Sequence, residues 1–192
     1  MTRKILFVIA AAMAMAGCTT LDQLTGRGVV TQHTSDFDNA TVIEASPNNI
    51  ADTDGMWTDS TALGASWSSA APDSVTLTMA LTGSSGNVPF TGIRAFFVNI
   101  DGVVSQYSAG QPVNTAPDAT GPHRLYGSNE IVIPYSVLQQ MVAAKDCRLR
   151  IQTSTGYRSF DFTRDHMAGG KPAAICSIMD MMAKVATVRS NG

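Results

Sequence analysis

The 192-residue sequence predicts a mainly β fold, an antiparallel β-sandwich-like domain with one inserted helix and a C-terminal helix. Three observations predict it. Short runs of strand-forming residues recur about every ten residues, with Gly, Pro, Asn and Asp between them. Ser74–Leu81 (SVTLTMAL) alternates cleanly, with Val75, Leu77, Met79 and Leu81 on one face and Ser74, Thr76 and Thr78 on the other. Apolar residues take up helical spacing in one segment among the strands and in one after them. An α+β sheet with helices on one face is the alternative that the same order allows.

The elements follow in order. Thr41–Ala45 (TVIEA) alternates weakly and ends at Pro47, before a loop rich in Asp and Asn. Leu63–Ser68 (LGASWS) is a short strand, and Gly83–Gly86 (GSSG) turns the chain after the alternating strand. Ile93–Ile100 (IRAFFVNI) and Val103–Tyr107 (VVSQY) pair across Asp101-Gly102. Both central residues of a type I′ turn need positive φ, which Asp and Gly tolerate. Gln111–Pro122 contains Pro112, Pro117 and Pro122 and reads as a loop. Glu130–Ile133 (EIVI) is a strand stopped by Pro134, and Pro134 suits the start of a helix over Tyr135–Lys145. Val137, Leu138, Met141 and Val142 share that helix's apolar face. Cys147–Thr153 (CRLRIQT) alternates and meets Tyr157–Phe162 (YRSFDF) in a second hairpin. Pro172–Val185 closes the domain as a helix whose stripe is Ile175, Ile178, Met179, Met182 and Val185, with Ser177, Asp180 and Lys184 facing away.

The N-terminus carries an address. Arg3 and Lys4 precede an apolar run from Ile5 to Ala16, the pattern of a secretory signal. The run falls short of the roughly 20 apolar residues that span a membrane. Met15-Ala16-Gly17-Cys18 resembles the bacterial lipobox, with Met15 where that motif usually has Leu. The resemblance implies a diacylglycerol on the Cys18 thiol, cleavage before Cys18 and acylation of the new amino group. It also implies localisation in the bacterial cell envelope, lipid-anchored. By similarity to the sorting rule that reads the residue after the cysteine, Thr19 favours the outer membrane. The expected organisation is a signal peptide over 1–17, a flexible tether over 18–36 and one β-rich domain over 37–188.

Cleavage leaves 175 of the 192 residues, enough for one domain with a core of its own. It removes two basic residues and no acidic one, so 13 basic residues become 11 against 15 acidic. That mild acidity argues against a nucleic-acid partner, which needs a basic surface. With Cys18 taken by lipid, Cys147 and Cys176 remain as an even pair in an oxidising compartment. A disulfide between them would close a loop of about 30 residues, with roughly 3.5 kcal/mol of chain-entropy stabilisation. Two buried free thiols are the other reading.

Few residues suggest chemistry. Asp52, Asp54, Trp57 and Asp59 form an acidic stretch with an aromatic, a weak candidate for calcium or a sugar and otherwise a solvated loop. An EF-hand would need Glu where Leu63 stands. Trp67 reads as core, and Trp57 as the more exposed tryptophan. No GxSxG elbow occurs, and His33, His123 and His166 lack ligand spacing. Asp165-His166 is the nearest approach to a catalytic pair. Arg148, Arg150 and Arg158 could form a basic stripe on paired strands, or a wet sheet face neutralised by Asp161 or Glu130. No cofactor, metal site or catalytic set is expected. The sequence therefore points to a lipid-anchored envelope domain with a non-enzymatic binding or structural role. Its partners would be the membrane, through the N-terminal lipid, and an envelope protein or glycan. A sugar- or calcium-binding module, or a hydrolase with scattered residues, are the alternatives.

Overall fold

The computed structural model describes residues 26–53, 60–84, 93–110, 113–115, 124–153, 156–164 and 173–191. They form eleven strands: β1 (Val30–Thr34), β2 (Thr41–Asn49), β3 (Ala51–Asp52), β4 (Ser60–Ser68), β5 (Ser74–Ser84), β6 (Ala95–Ile100), β7 (Val103–Ser108), β8 (Val113–Thr115), β9 (Arg124–Pro134), β10 (Cys147–Gln152) and β11 (Tyr157–Asp161). Helix α1 (Tyr135–Ala143) lies between β9 and β10, and helix α2 (Ala173–Asn191) closes the chain. The fold is mainly β, as the alternation predicts: two antiparallel, open sheets and two helices.

One sheet has the order β1-β2-β4-β5-β9-β8 and the other β3-β11-β10-β6-β7. β3 and β8, with two and three residues, are short edge additions. The pairing register places the apolar positions of each sheet on one face. In the six-stranded sheet Ile43 lies across from Trp67, Ala65 from Leu77, and Val75 from Ile133. In the five-stranded sheet Leu149 lies across from Val98 and Phe160, and Ile151 from Phe96. All of these side chains are buried in one continuous core, and α1 adds Leu138 and Met141 to it. A run of two-residue periodicity therefore becomes a wall of the core once its neighbours adopt the same phase.

The Asp101-Gly102 turn forms as expected, with φ of 49° and 92° at its two residues. It is also tied down from outside: the Lys145 and Asp146 N–H groups donate to Asp101 Oδ1 at 3.0 and 2.9 Å. The β6–β7 hairpin is thus fixed to the link between α1 and β10.

Three sequence expectations change, besides the loop read over Gln111–Pro122, which holds β8. β1 lies inside the stretch read as a tether, so the sheet begins before Phe37, which is fully exposed. β1 is a polar edge strand held by backbone pairing, and hydropathy carries no trace of such a strand. On α2 the buried stripe is Ile175, Ile178, Met181 and Val185, so Met181 takes the place expected of Met182. Ser177, expected to face away, is buried within hydrogen-bond reach of Asn48 Nδ2 at 3.5 Å. Gly28 permits this approach. It has φ of +65°, and a Cβ there would collide with both Asn48 Nδ2 and Ser177 Oγ.

The cysteines are the third correction. Cys147 and Cys176 are both buried, and no disulfide joins them. Cys147 starts β10 on the core face of the five-stranded sheet, and its N–H donates to Thr163 Oγ1 at 2.9 Å. Cys176 rides on α2, which packs on β2, β4 and β1 of the other sheet. Burial, with Asp146, Asp161 and Asp101 nearby, pushes the Cys147 thiol up from 9.0 to about 12. The expected result is that iodoacetamide at pH 8 labels neither thiol in the folded protein and both after unfolding, with no reductant needed. The sign of the pH effect follows. An unfolded chain ionises this thiol near 9.0 and the folded one near 12, so Cys147 makes stability fall as pH rises through that window. Urea midpoints at pH 8 and pH 10 for the native protein and a Cys147→Ala variant check this, the variant losing the Cys147 share of the fall.

Candidate ligand-binding face

The core face of the five-stranded sheet is sealed, so its other face is what this sheet offers to solvent. The registers define that face as a grid across β7, β6, β10 and β11. One row is Gln106, Phe97, Arg150 and Ser159. The next is Val104, Asn99, Arg148 and Asp161, and a third is Ser108, Ala95, Gln152 and Tyr157. Phe97, Arg150 and Ser159 of the first row and Val104, Asn99 and Arg148 of the second, with Thr53, Leu149 and Tyr157, line a concavity of about 490 Å³. Thr53 is held at its rim by β11, its N–H donating to Ser159 O at 3.0 Å and its hydroxyl to the same oxygen at 2.9 Å.

Strand geometry explains the two arginines. Arg148 and Arg150 are two residues apart on β10, so both point to the solvent face, with Cα atoms about 7 Å apart. Their surroundings differ. Arg148 Nε donates to Asp146 Oδ1 at 3.0 Å in an exposed ion pair. Neither carboxylate anticipated from the sequence is its partner in that pair: Asp161 sits across the strand from it, with Oδ1 accepting the Thr163 N–H at 2.8 Å, and Glu130 belongs to the other sheet. Arg150 Nε donates to Ser159 Oγ at 3.1 Å, and its guanidinium lies 5.8 Å from the centre of the Tyr157 ring. No carboxylate lies within ion-pair distance of Arg150 among the described residues. Arg158 departs from the expected stripe, because the β10–β11 register puts it across from Ile151, on the opposite face.

The aromatic part of the face is Tyr157 and Phe97, in an edge contact with ring centres 6.2 Å apart and planes at 60°. Tyr157 remains 58% exposed, so its ring is available to a ligand while Phe97 and Arg150 fix its position. Neither aromatic stood out in the sequence, where each was read only as a strand residue. The signal that could have found them is phase: Phe97 and Tyr157 fall on the strand positions that carry Asn99 and Ser159, not on those that carry Val98 and Phe160.

The other sequence candidates do not assemble into a site. Asp52 lies in β3 across from Phe160, while Asp54, Trp57 and Asp59 fall outside the described residues. Cys18, Asp165, His123 and His166 also fall outside them, and His33 is exposed on β1. Among the described residues no three His, Cys, Asp or Glu side chains are grouped to hold a metal ion, and no helix is long and apolar enough to cross a membrane. Trp67 is core, 2% exposed, with Nε1 donating to Pro72 O at 3.0 Å. Comparison with protein-family models, with curated proteins and with solved structures gives no match for this chain.

Proposed function

We propose that this chain is a non-enzymatic envelope domain, anchored by lipid on Cys18, that binds a partner through the outer face of its five-stranded sheet. The observation that carries the reading is the concavity around Arg150. A sheet buries one face for stability, and this one carries on the other a guanidinium with no carboxylate partner among the described residues, beside two aromatic rings and several hydrogen-bonding side chains. These groups hold and orient a partner: guanidinium, amide, hydroxyl and ring. Cys147, at the start of β10, faces the core rather than this concavity, and burial pushes its thiol pKa up. The lipobox-like segment supports the address, since two or more acyl chains give lasting attachment to a membrane surface.

The test uses a photoreactive residue that inserts into C–H bonds, placed at Gln106 on this face or at Val132 on the exposed face of the other sheet. Illumination of cells is expected to give an adduct of higher mass from the Gln106 position and none from Val132. Equal adducts from both positions, or none from Gln106, would remove this face as the binding surface.

A further inference from the structure

We infer that the ligand of this face is an anionic saccharide, its carboxylate or phosphate held by Arg150 and one of its rings set against Tyr157. The inference rests on the reading of this face as the binding surface and adds the class of ligand. It starts from what is already used. Arg148 is neutralised by Asp146, whereas Arg150 spends only Nε, on Ser159 Oγ. Its two terminal nitrogens have no partner among the described residues. A guanidinium anchored in this way presents a planar pair of N–H donors, which matches two oxygens of a carboxylate or phosphate. The ligand should therefore carry negative charge at the centre of the grid.

The rest of the lining says that it is more than a simple anion. A cavity of about 490 Å³ is far larger than a phosphate ion, and Asn99, Ser159 and Thr53 bring amide and hydroxyl groups suited to ring hydroxyls. The exposed Tyr157 ring offers an apolar surface to the C–H face of a sugar. An acidic peptide fits less well. Extended peptides gain affinity by pairing their backbone with a free strand edge. Arg150 lies on β10, an interior strand flanked by β6 and β11, where backbone partners are already taken and only side-chain chemistry remains.

The test is a calorimetric titration of the full-length lipoprotein in detergent micelles. Its probes are trigalacturonate, glucose 6-phosphate, neutral maltotriose, inorganic phosphate and an oligoglutamate peptide. At least one charged saccharide is expected to bind more tightly than every other probe. Which of the two binds separates a carboxylate-bearing polysaccharide from a phosphorylated sugar headgroup as the source. Arg150→Ala should weaken binding about tenfold, as loss of a charge-assisted fork implies, and Arg150→Lys should recover part of that. Tyr157→Ala should also weaken binding, and 0.5 M salt should weaken it in the native protein but little in Arg150→Ala. Equal binding of maltotriose, equal binding of phosphate, tighter binding of the peptide, no binding of either charged saccharide, or an unmoved Arg150→Ala would each overturn the inference. The Gln106 adduct separates the two failures. With the adduct present, only the ligand class is wrong; with it absent, the binding face itself is wrong.

Discussion

Cys18→Ala is expected to leave the full 192-residue chain uncleaved and unlabelled by radioactive palmitate, with no 175-residue form in the envelope. The argument is one of chain chemistry. Each buried methylene of an acyl chain contributes about 0.8 kcal/mol to membrane attachment, so one chain gives marginal binding and two or three hold for a long time. In the proposed anchor all of that depends on the Cys18 thiol. The apolar run from Ile5 to Ala16 is too short for an ordinary span, which takes about 20 residues. The lipobox pattern implies that lipid on the cysteine comes first and cleavage second, so loss of the thiol blocks both. Intact mass and palmitate labelling of native and variant chains read the outcome together. An unlabelled variant still cut near Gly17 would show an ordinary secretory signal in which Cys18 is incidental. A variant that keeps its label would place the lipid elsewhere.

The proposed anchor also bears on the proposed binding face. From Cys18 to the start of β1 at Val30 there are 12 residues, which reach at most about 40 Å at full extension. With lipid on Cys18, the start of β1 would stay within about that distance of the membrane surface. β1 shortens the tether relative to the 18–36 expected from sequence, because it fixes Val30–Thr34 to β2.

How much of this was legible follows from the range of the forces involved. Local pattern gave the strands with clean alternation, the Asp101-Gly102 turn and both helices, since side-chain phase and turn chemistry are properties of a few adjacent residues. Membership of a sheet is different. β5 pairs with β9 across Leu77 and Ile131, far apart in sequence, and nothing within either strand names the other. The cysteines show the consequence: their spacing allowed a disulfide, but one belongs to β10 and the other to a helix on the opposite sheet. The site was half visible. Alternation along β10 puts Arg148 and Arg150 on one face, as read from sequence. Arg158 was misplaced because the register across the β10–β11 turn sets its phase, and that register was unknown before folding. Ser177 was misread for a similar reason: its burial is decided by Gly28 and Asn48, which come together with it only in the folded chain.

Trp67→Ala is the core substitution with the largest expected cost, about 3–5 kcal/mol. Size accounts for much of it, since the side chain is 2% exposed and its removal leaves a cavity between β4 and its neighbours. Position accounts for the rest. The indole Nε1 donates to Pro72 O at 3.0 Å, fixing the turn between β4 and β5. Arg189, in the last turn of α2, lies 5.7 Å from the Trp67 ring centre and 4.5 Å from that of Tyr135, and it also donates to Pro72 O. One side chain thus joins the six-stranded sheet, its tightest turn and the C-terminal end of α2, with the start of α1 against the same arginine. Arg189→Ala should cost less, because that arginine is partly exposed and its ion pair with Asp73 is a loose 3.7 Å. Trp67→Phe should fall between them, keeping most of the volume but leaving Pro72 O without the indole donor. Urea unfolding of the three variants reads the order through the midpoints at constant slope. If Trp67→Ala shifted stability by less than about 1 kcal/mol, the tryptophan could not be the core residue described, since buried large-to-small changes of this size do not come so cheaply.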